Sequence, residues 1–294
     1  MPSHPECRET IAQRSNPLAP QPTGAEPRLP RLDDTRAVVF DIYGTLLISG
    51  SGDISLTSGA AKGSAATEAL QAVGVDGAAG EAILETLHEQ IHASHAATRE
   101  SAGVEFPEVD IVDIWRKTLA SRDLKLADGE LPRLATEYEC RVNPVWPMPG
   151  LVDVLAAIKR AGLPMGIVSN AQFFTPLAME QLTGQTLGEL GFVEDLCVWS
   201  FAHLRAKPGA ELYAMAAERL AGHGIQPGET LYVGNDMRND IAPAAGLGFR
   251  TALFAGDARS LRLREGDPMV AGVAADAVVT ELPQLLRILS LAAH

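Results

Sequence analysis

The sequence is poor in cysteine. Three in 294 residues, Cys7, Cys140 and Cys197, are too few and too far apart for a disulfide framework or a zinc cluster. Their odd number and the lack of any Cys-x-x-Cys spacing point to reduced thiols and a cytoplasmic setting. No apolar run approaches the ~18 residues a membrane span requires. The opening stretch MPSHPECRETIAQRSNPLAPQPTGAEPRLP has no hydrophobic segment of the kind a secretory signal needs. Basic residues are also short: 24 Lys and Arg against 37 Asp and Glu leave a formal charge of −13 and a pI near 5.0. That balance argues against nucleic acid or an anionic membrane as a partner, because both call for a basic surface. A small anionic substrate stays compatible, since a few local cations offset the overall field.

What is present suits a globular protein. Hydrophobic residues make up 46% of the chain, enough for a large core with a second, smaller module. Residues 1–34 are rich in proline and polar side chains, and this composition predicts a disordered tail. Beyond them, apolar runs read as buried parallel strands: AVVF before Asp41, PMGIVS at 164–169, DLCVW at 195–199, TLYVGN at 230–235, RTALF at 250–254 and DAVV at 276–279. Helical patterns such as GLVDVLAAIKRAG and AELYAMAAERLAGHG separate them. Strand alternating with helix predicts an α/β architecture with a parallel sheet. The stretch 53–144 reads instead as consecutive helices, and so as a helical module inserted into a core made of 35–52 and 145–294.

In an open parallel sheet, ligands sit beyond the carboxyl ends of the strands. Asp41, Ser169 with Asn170, Lys207, and Asn235 with Asp236 all fall at or just past such ends. One aspartate after a strand means little, but four matching ends mean a site. FDIYGTLL, VSN at 168–170, AKPGAELY and VGNDMRNDIAPAAGLGF, in that order, resemble the four motifs of the haloacid dehalogenase superfamily of hydrolases. The resemblance covers residues 36 to about 290. It implies a Rossmann-like core, with the inserted helices as the superfamily's cap.

The resemblance assigns roles. Asp41 is implied as the nucleophile, since a carboxylate can attack without a base to activate it. Lys207 holds Asp41 and the anionic substrate by charge. Ser169, Asn170 and Thr45 are implied in substrate binding. Mg²⁺ is the implied cofactor, bound by Asp41, the backbone carbonyl of Tyr43, Asp236 and Asp240, because the ion prefers oxygen ligands. Asn235 leaves an ambiguity: either Asp236 is the ligand, or Asn235 stands in the ligand position and weakens the site. Tyr43 occupies the place where the superfamily's phosphatases carry a second aspartate that donates a proton. A phenol with a reference pKa of about 10 is a poor substitute, so Tyr43 suits leaving groups that need no proton. The 2-haloacid dehalogenases carry the same Asp-x-Tyr-Gly-Thr as residues 41–45, and they work without metal.

Three functions follow from the resemblance. The first is Mg²⁺-dependent hydrolysis of a small phosphorylated metabolite with a good leaving group. The second is a metal-independent 2-haloacid dehalogenase, for which Arg116 after Trp115 could hold the halide. The third is an inactive ligand-binding homologue. Other features have plainer readings. His88-Glu89-Gln90-Ile91-His92, with His95 a turn on, matches a zinc-protease pattern but reads as a histidine stripe at the cap's edge. GSGDIS at 50–55 reads as a hinge, Glu108 and Asp110 as helix-capping acids, and Arg259, Arg262 and Arg264 as part of a surface loop.

Overall fold

The computed structural model describes residues 4–51 and 59–291. Helix α1 (Pro5–Arg14) comes first, then strands β1 (Ala37–Phe40) and β2 (Leu47–Ser49). Helices α2 (Gly59–Ala72), α3 (Gly80–Ala102), α4 (Ile111–Ala120) and α5 (Leu131–Val142) follow without an intervening strand. Strand β3 (Val145–Pro147) leads back into alternation: α6 (Leu151–Arg160), β4 (Met165–Ser169), α7 (Phe174–Thr183), α8 (Leu187–Leu190), β5 (Phe192–Trp199), α9 (Ser200–His203), α10 (Glu211–Gly222), β6 (Thr230–Gly234), α11 (Ala242–Gly246), β7 (Arg250–Phe254), β8 (Ala277–Val279) and α12 (Gln284–Ile288).

Six strands form one parallel sheet in the order β5-β4-β1-β6-β7-β8. The four residues of β1, AVVF, are buried on both faces, as expected of a strand covered by helices on each side. Val38 and Phe40 face one apolar cluster with α6, α7 and α12, while Ala37 and Val39 face another with α10 and Phe249. β1 pairs with β4 on one side and β6 on the other, so the chain's crossovers part at its carboxyl end. That is where a doubly wound sheet opens a crevice, and Asp41 is the next residue.

Helices α2 to α5 bury a core of their own around Leu70, Leu87, Trp115 and Leu134. The short antiparallel pair β2–β3 forms the neck beneath them, with Ile48 opposite Trp146. The first part of the hinge stretch, Gly50 and Ser51, is held by Pro144 and Asn143; its remainder, and the expected start of the cap at 53, lie outside the described residues. A second seam joins cap to core. Pro107 and Arg205 form an antiparallel bridge; Glu108 N donates to Leu204 O (3.1 Å) and Ala206 N to Phe106 O (2.8 Å). Among the described residues no helix is long and apolar enough to cross a membrane.

Residues 4–34 depart from the expected disorder. Pro5 opens α1, where a missing N–H costs nothing. Cys7 and Ile11, four apart and so on one helix face, are each only 1% exposed against α5 and α7. The proline-rich remainder runs extended along the sheet edge, with Arg28 exchanging backbone bonds with Val278 of β8 (2.8 and 2.9 Å). Composition misleads here because two apolar side chains suffice to anchor a short helix to a core that already exists. Proline, for its part, suits an extended strap.

Candidate active site

The crevice beyond β1 is a cavity of about 420 Å³ lined by Asp41, Tyr43, Asn170, Lys207 and residues of the cap and of the 256–264 loop. Asp41 is buried at its floor. Its Oδ1 accepts from Ser169 Oγ (2.9 Å) and Lys207 Nζ (2.6 Å). Oδ2 has no protein partner among the described residues, so it is the oxygen free to act on a substrate. Lys207 Nζ also donates to Asp240 Oδ1 (2.6 Å), bridging the two carboxylates. Burial works against the ammonium's charge, yet Asp240 and Asp41 together hold its pKa above that of an ordinary lysine. Burial pushes Asp240 up to about 6 despite the pull of Lys207.

The backbone has to make room for this triad. Gly234 ends β6 beside Asp240, and a Cβ there would stand 2.4 Å from the Asp240 carboxyl carbon. Gly44 turns with φ +80° where a Cβ would meet that of Ser260 at 2.4 Å. Tyr232 OH lies 2.9 Å from Asp240 Oδ1, and Asp236 N donates to Asp240 Oδ2 (2.9 Å). Asn170 exchanges two bonds with the Lys207 backbone (2.7 and 3.1 Å), clamping the loop that delivers the ammonium.

Several expected residues fall elsewhere. Thr45 and Ser169, expected to touch substrate, are fully buried behind the cavity wall. Thr45 Oγ1 donates to Asn235 Oδ1 (3.1 Å), and Ser169 Oγ donates to Asp41 Oδ1. Tyr43 lines the cavity, but its hydroxyl is hydrogen-bonded to Thr175 Oγ1 (2.8 Å). Burial, then the nearby Glu139, push the phenol's pKa well above 10. Arg116 pairs with Asp113 and Asp128 and does not line the cavity, so it is not placed to hold a halide. His88, His92 and His95 share α3 but belong to no cluster of His, Cys, Asp or Glu that could hold a metal among the described residues. Asp110 caps α4, accepting from Val112 N (2.9 Å), whereas Glu108 accepts from Ser200 Oγ (2.9 Å) across the seam between cap and core.

The oxygen set expected for Mg²⁺ does not converge. Asp236 Oδ1 caps the turn that follows β6, accepting from Arg238 N and Asn239 N. Arg264 grips the same carboxylate with Nε (3.1 and 3.2 Å) and Nη2 (2.6 Å), a forked geometry that matches guanidinium to carboxylate. To do so Arg264 adopts φ +54°, a left-handed conformation that costs a side-chain-bearing residue about 1–2 kcal/mol. Asn235 is committed through both ends of its amide, to Thr45 and to Ser260 O (2.6 Å). Asp41 Oδ2 is thus left as the uncommitted carboxylate oxygen at the floor, and these residues do not fit a divalent ion as they stand. The ambiguity between Asn235 and Asp236 resolves into two different jobs: Asn235 braces the loop after β1, and Asp236 anchors Arg264.

Three cavity residues were not among the expected site residues. Arg262 and Arg264 reach the cavity because the 256–264 loop folds back against the end of β6, with Arg262 bridging to Asp236. Glu139 of α5 faces Tyr43 from the cap side and lines the same cavity.

A family model of haloacid dehalogenase-like hydrolases matches residues 35–248. The N-acetylmuramic acid 6-phosphate phosphatase of Pseudomonas aeruginosa is 33% identical over 110 residues, 36% of this chain and 43% of that protein, so the match spans less than half of the relative's length. The 2-haloacid dehalogenase of Pseudomonas syringae pv. tomato DC3000 superposes with a TM-score of 0.57 at 18% identity, covering 87% of this chain and 98% of its own. A HAD phosphatase from Thermococcus onnurineus gives a TM-score of 0.49 at 21% identity, over 87% and 98% of the two chains. At such identities the structural likeness speaks for the fold alone.

Proposed function

We infer the reaction from one premise: the chain belongs to the haloacid dehalogenase-like hydrolases. The reading best supported is metal-independent hydrolysis of a halogenated carboxylic acid through an Asp41 ester. Asp41 Oδ2 attacks the carbon bearing the halogen, and the carbon–halogen bond breaks with its electrons leaving as halide. Water then attacks the acyl carbon of the ester, releasing the hydroxy acid and restoring Asp41. The sum is R–X plus water giving R–OH, a proton and X⁻. Halide departs without a proton, which agrees with a first motif whose Tyr43 cannot supply one. Lys207 and Ser169 fix Oδ1 and so aim Oδ2. Arg262, on the cavity wall, is the candidate cation for the substrate's carboxylate.

The observation that carries this reading is the Arg264–Asp236 fork, which takes away the carboxylate a magnesium site would need. A second reading, phosphomonoester hydrolysis, draws support from the relative named as a phosphatase and from a 420 Å³ cavity, roomy for a short haloacid. Bromide release from 2-bromohexanoate separates the two. Release that persists in excess EDTA and vanishes in Asp41→Asn supports the dehalogenase chemistry. Turnover confined to p-nitrophenyl phosphate with added magnesium refutes it.

A further inference from the structure

Glu139 sits in the cap without a cation. Two residues earlier on α5, Glu137 is buried, and it is fully engaged: Arg141 and Arg14 pair with it and Thr10 donates to it. Glu139 receives one bond, from Asn143 Nδ2 to Oε1 (3.1 Å), and Oε2 has no protein partner among the described residues. The groups around it are Tyr138 and Cys140 on its own helix, Tyr43 from the loop after β1, Ile11 from α1, and Phe174 and Ala178 from α7. None of these is a cation. A carboxylate drawn from water without a compensating cation weakens the fold, and Glu139 is half-buried. It does face the cavity whose floor is Asp41, and Tyr43 stands at the position of the expected proton donor.

We propose that Glu139 is the general base of the second step, taking the proton from the water that attacks the Asp41 ester. This rests on the proposed ester mechanism and deepens it. In the first step halide leaves unaided. In the second, Glu139 Oε2 removes one proton from water as the oxygen bonds to the acyl carbon of Asp41. The tetrahedral intermediate collapses, the acyl–oxygen bond to the substrate breaks, the departing alkoxide takes the proton back from Glu139, and Asp41, left as the acid, loses water's second proton to solvent. Burial lifts the Glu139 pKa to about 7, close to neutral pH, where a carboxyl is most useful as a base. The arrangement explains how a site with tyrosine in place of the second aspartate can still finish its cycle: the base comes from the cap, on the far side of Tyr43.

The test is a rapid-mix assay with 2-bromohexanoate as the probe, following bromide and the intact mass of the protein. In Glu139→Gln, one bromide per protein is expected to appear at close to the wild-type rate. The ester adduct on Asp41 should then persist while steady turnover falls by about 10²–10⁴, the usual worth of a general base. Glu139→Ala should regain turnover in added formate, which also guards against a Gln variant that folds poorly. Steady turnover within about threefold of wild type in Glu139→Gln and Glu139→Ala overturns the proposal. So does equal loss of both steps with no adduct and no formate rescue. If the wild-type protein itself forms no ester on Asp41 and turned-over Asp41 gains no label from H₂¹⁸O, the ester mechanism fails and this role falls with it. The label on wild-type Asp41 therefore distinguishes the two failures.

Discussion

Replacing Glu139 with glutamine should make the protein more stable at pH 8 and leave it unchanged near pH 4.5. Below pH 4.5 the carboxyl holds its proton in both the folded and unfolded chains, so the acid and the amide are equivalent. Between 4.5 and about 7 the folded protein still holds the proton and the unfolded chain has lost it. The folded state then binds more protons than the unfolded one, and stability falls as pH rises through that window. Above 7 the buried carboxylate carries the full cost. A rise from 4.5 to about 7 corresponds to about 3 kcal/mol, at about 1.36 kcal/mol per pH unit. Water in the cavity solvates the carboxylate and makes this an upper value. Glutamine keeps the Asn143 bond through its own Oε1 and never ionises. The raised Asp240 titrates in both proteins and cancels in the difference. Urea unfolding of the two proteins at pH 4.5, 6 and 8 measures the effect. A difference that stays constant with pH, or a glutamine variant weaker at pH 8, would refute the claim that burial holds the proton on Glu139.

Tyr43→Phe should keep activity within about threefold of wild type, because a phenol bonded to Thr175 and raised in pKa takes no part in proton transfer; it should lose about 1 kcal/mol in urea unfolding for the missing hydrogen bond. A hundredfold loss of turnover would return Tyr43 to the chemistry. Ile11→Ala should cost about 2–5 kcal/mol in the same assay, the usual range for an isoleucine emptied from a packed core. An unshifted midpoint would mean that α1 does not hold to the core in solution.

The parts of the site legible in the sequence are those fixed by strand ends. Asp41, Ser169 with Asn170, and Asn235 with Asp236 follow buried apolar runs, and the sheet order brings those runs side by side. Lys207 comes with them because Asn170 clamps its loop. What stayed hidden depends on chain folding back over a distance. Arg264 reads as one basic residue among acids, and only the return of its loop to β6 sets it against Asp236. Glu139 sits in EYEC, two residues from Glu137, and no periodicity tells the paired acid from the unpaired one. Only the structure shows that Arg141 and Arg14 both go to Glu137. The N-terminal helix was missed because composition counts prolines without asking whether a neighbouring surface waits for Cys7 and Ile11.

The seam at Pro107 and Arg205 gives the cap a second attachment to the core. The neck between β2 and β3 is one link between cap and core and the seam is another, while α1 packs on α5 and Gln172 bonds to Val109 and Ile111. Of the two amides bonded across the seam, that of Glu108 belongs to a residue lining the cavity, and that of Ala206 precedes Lys207 in sequence. The seam thus ties the cap to the residue that precedes the lysine of the Asp41–Lys207–Asp240 triad.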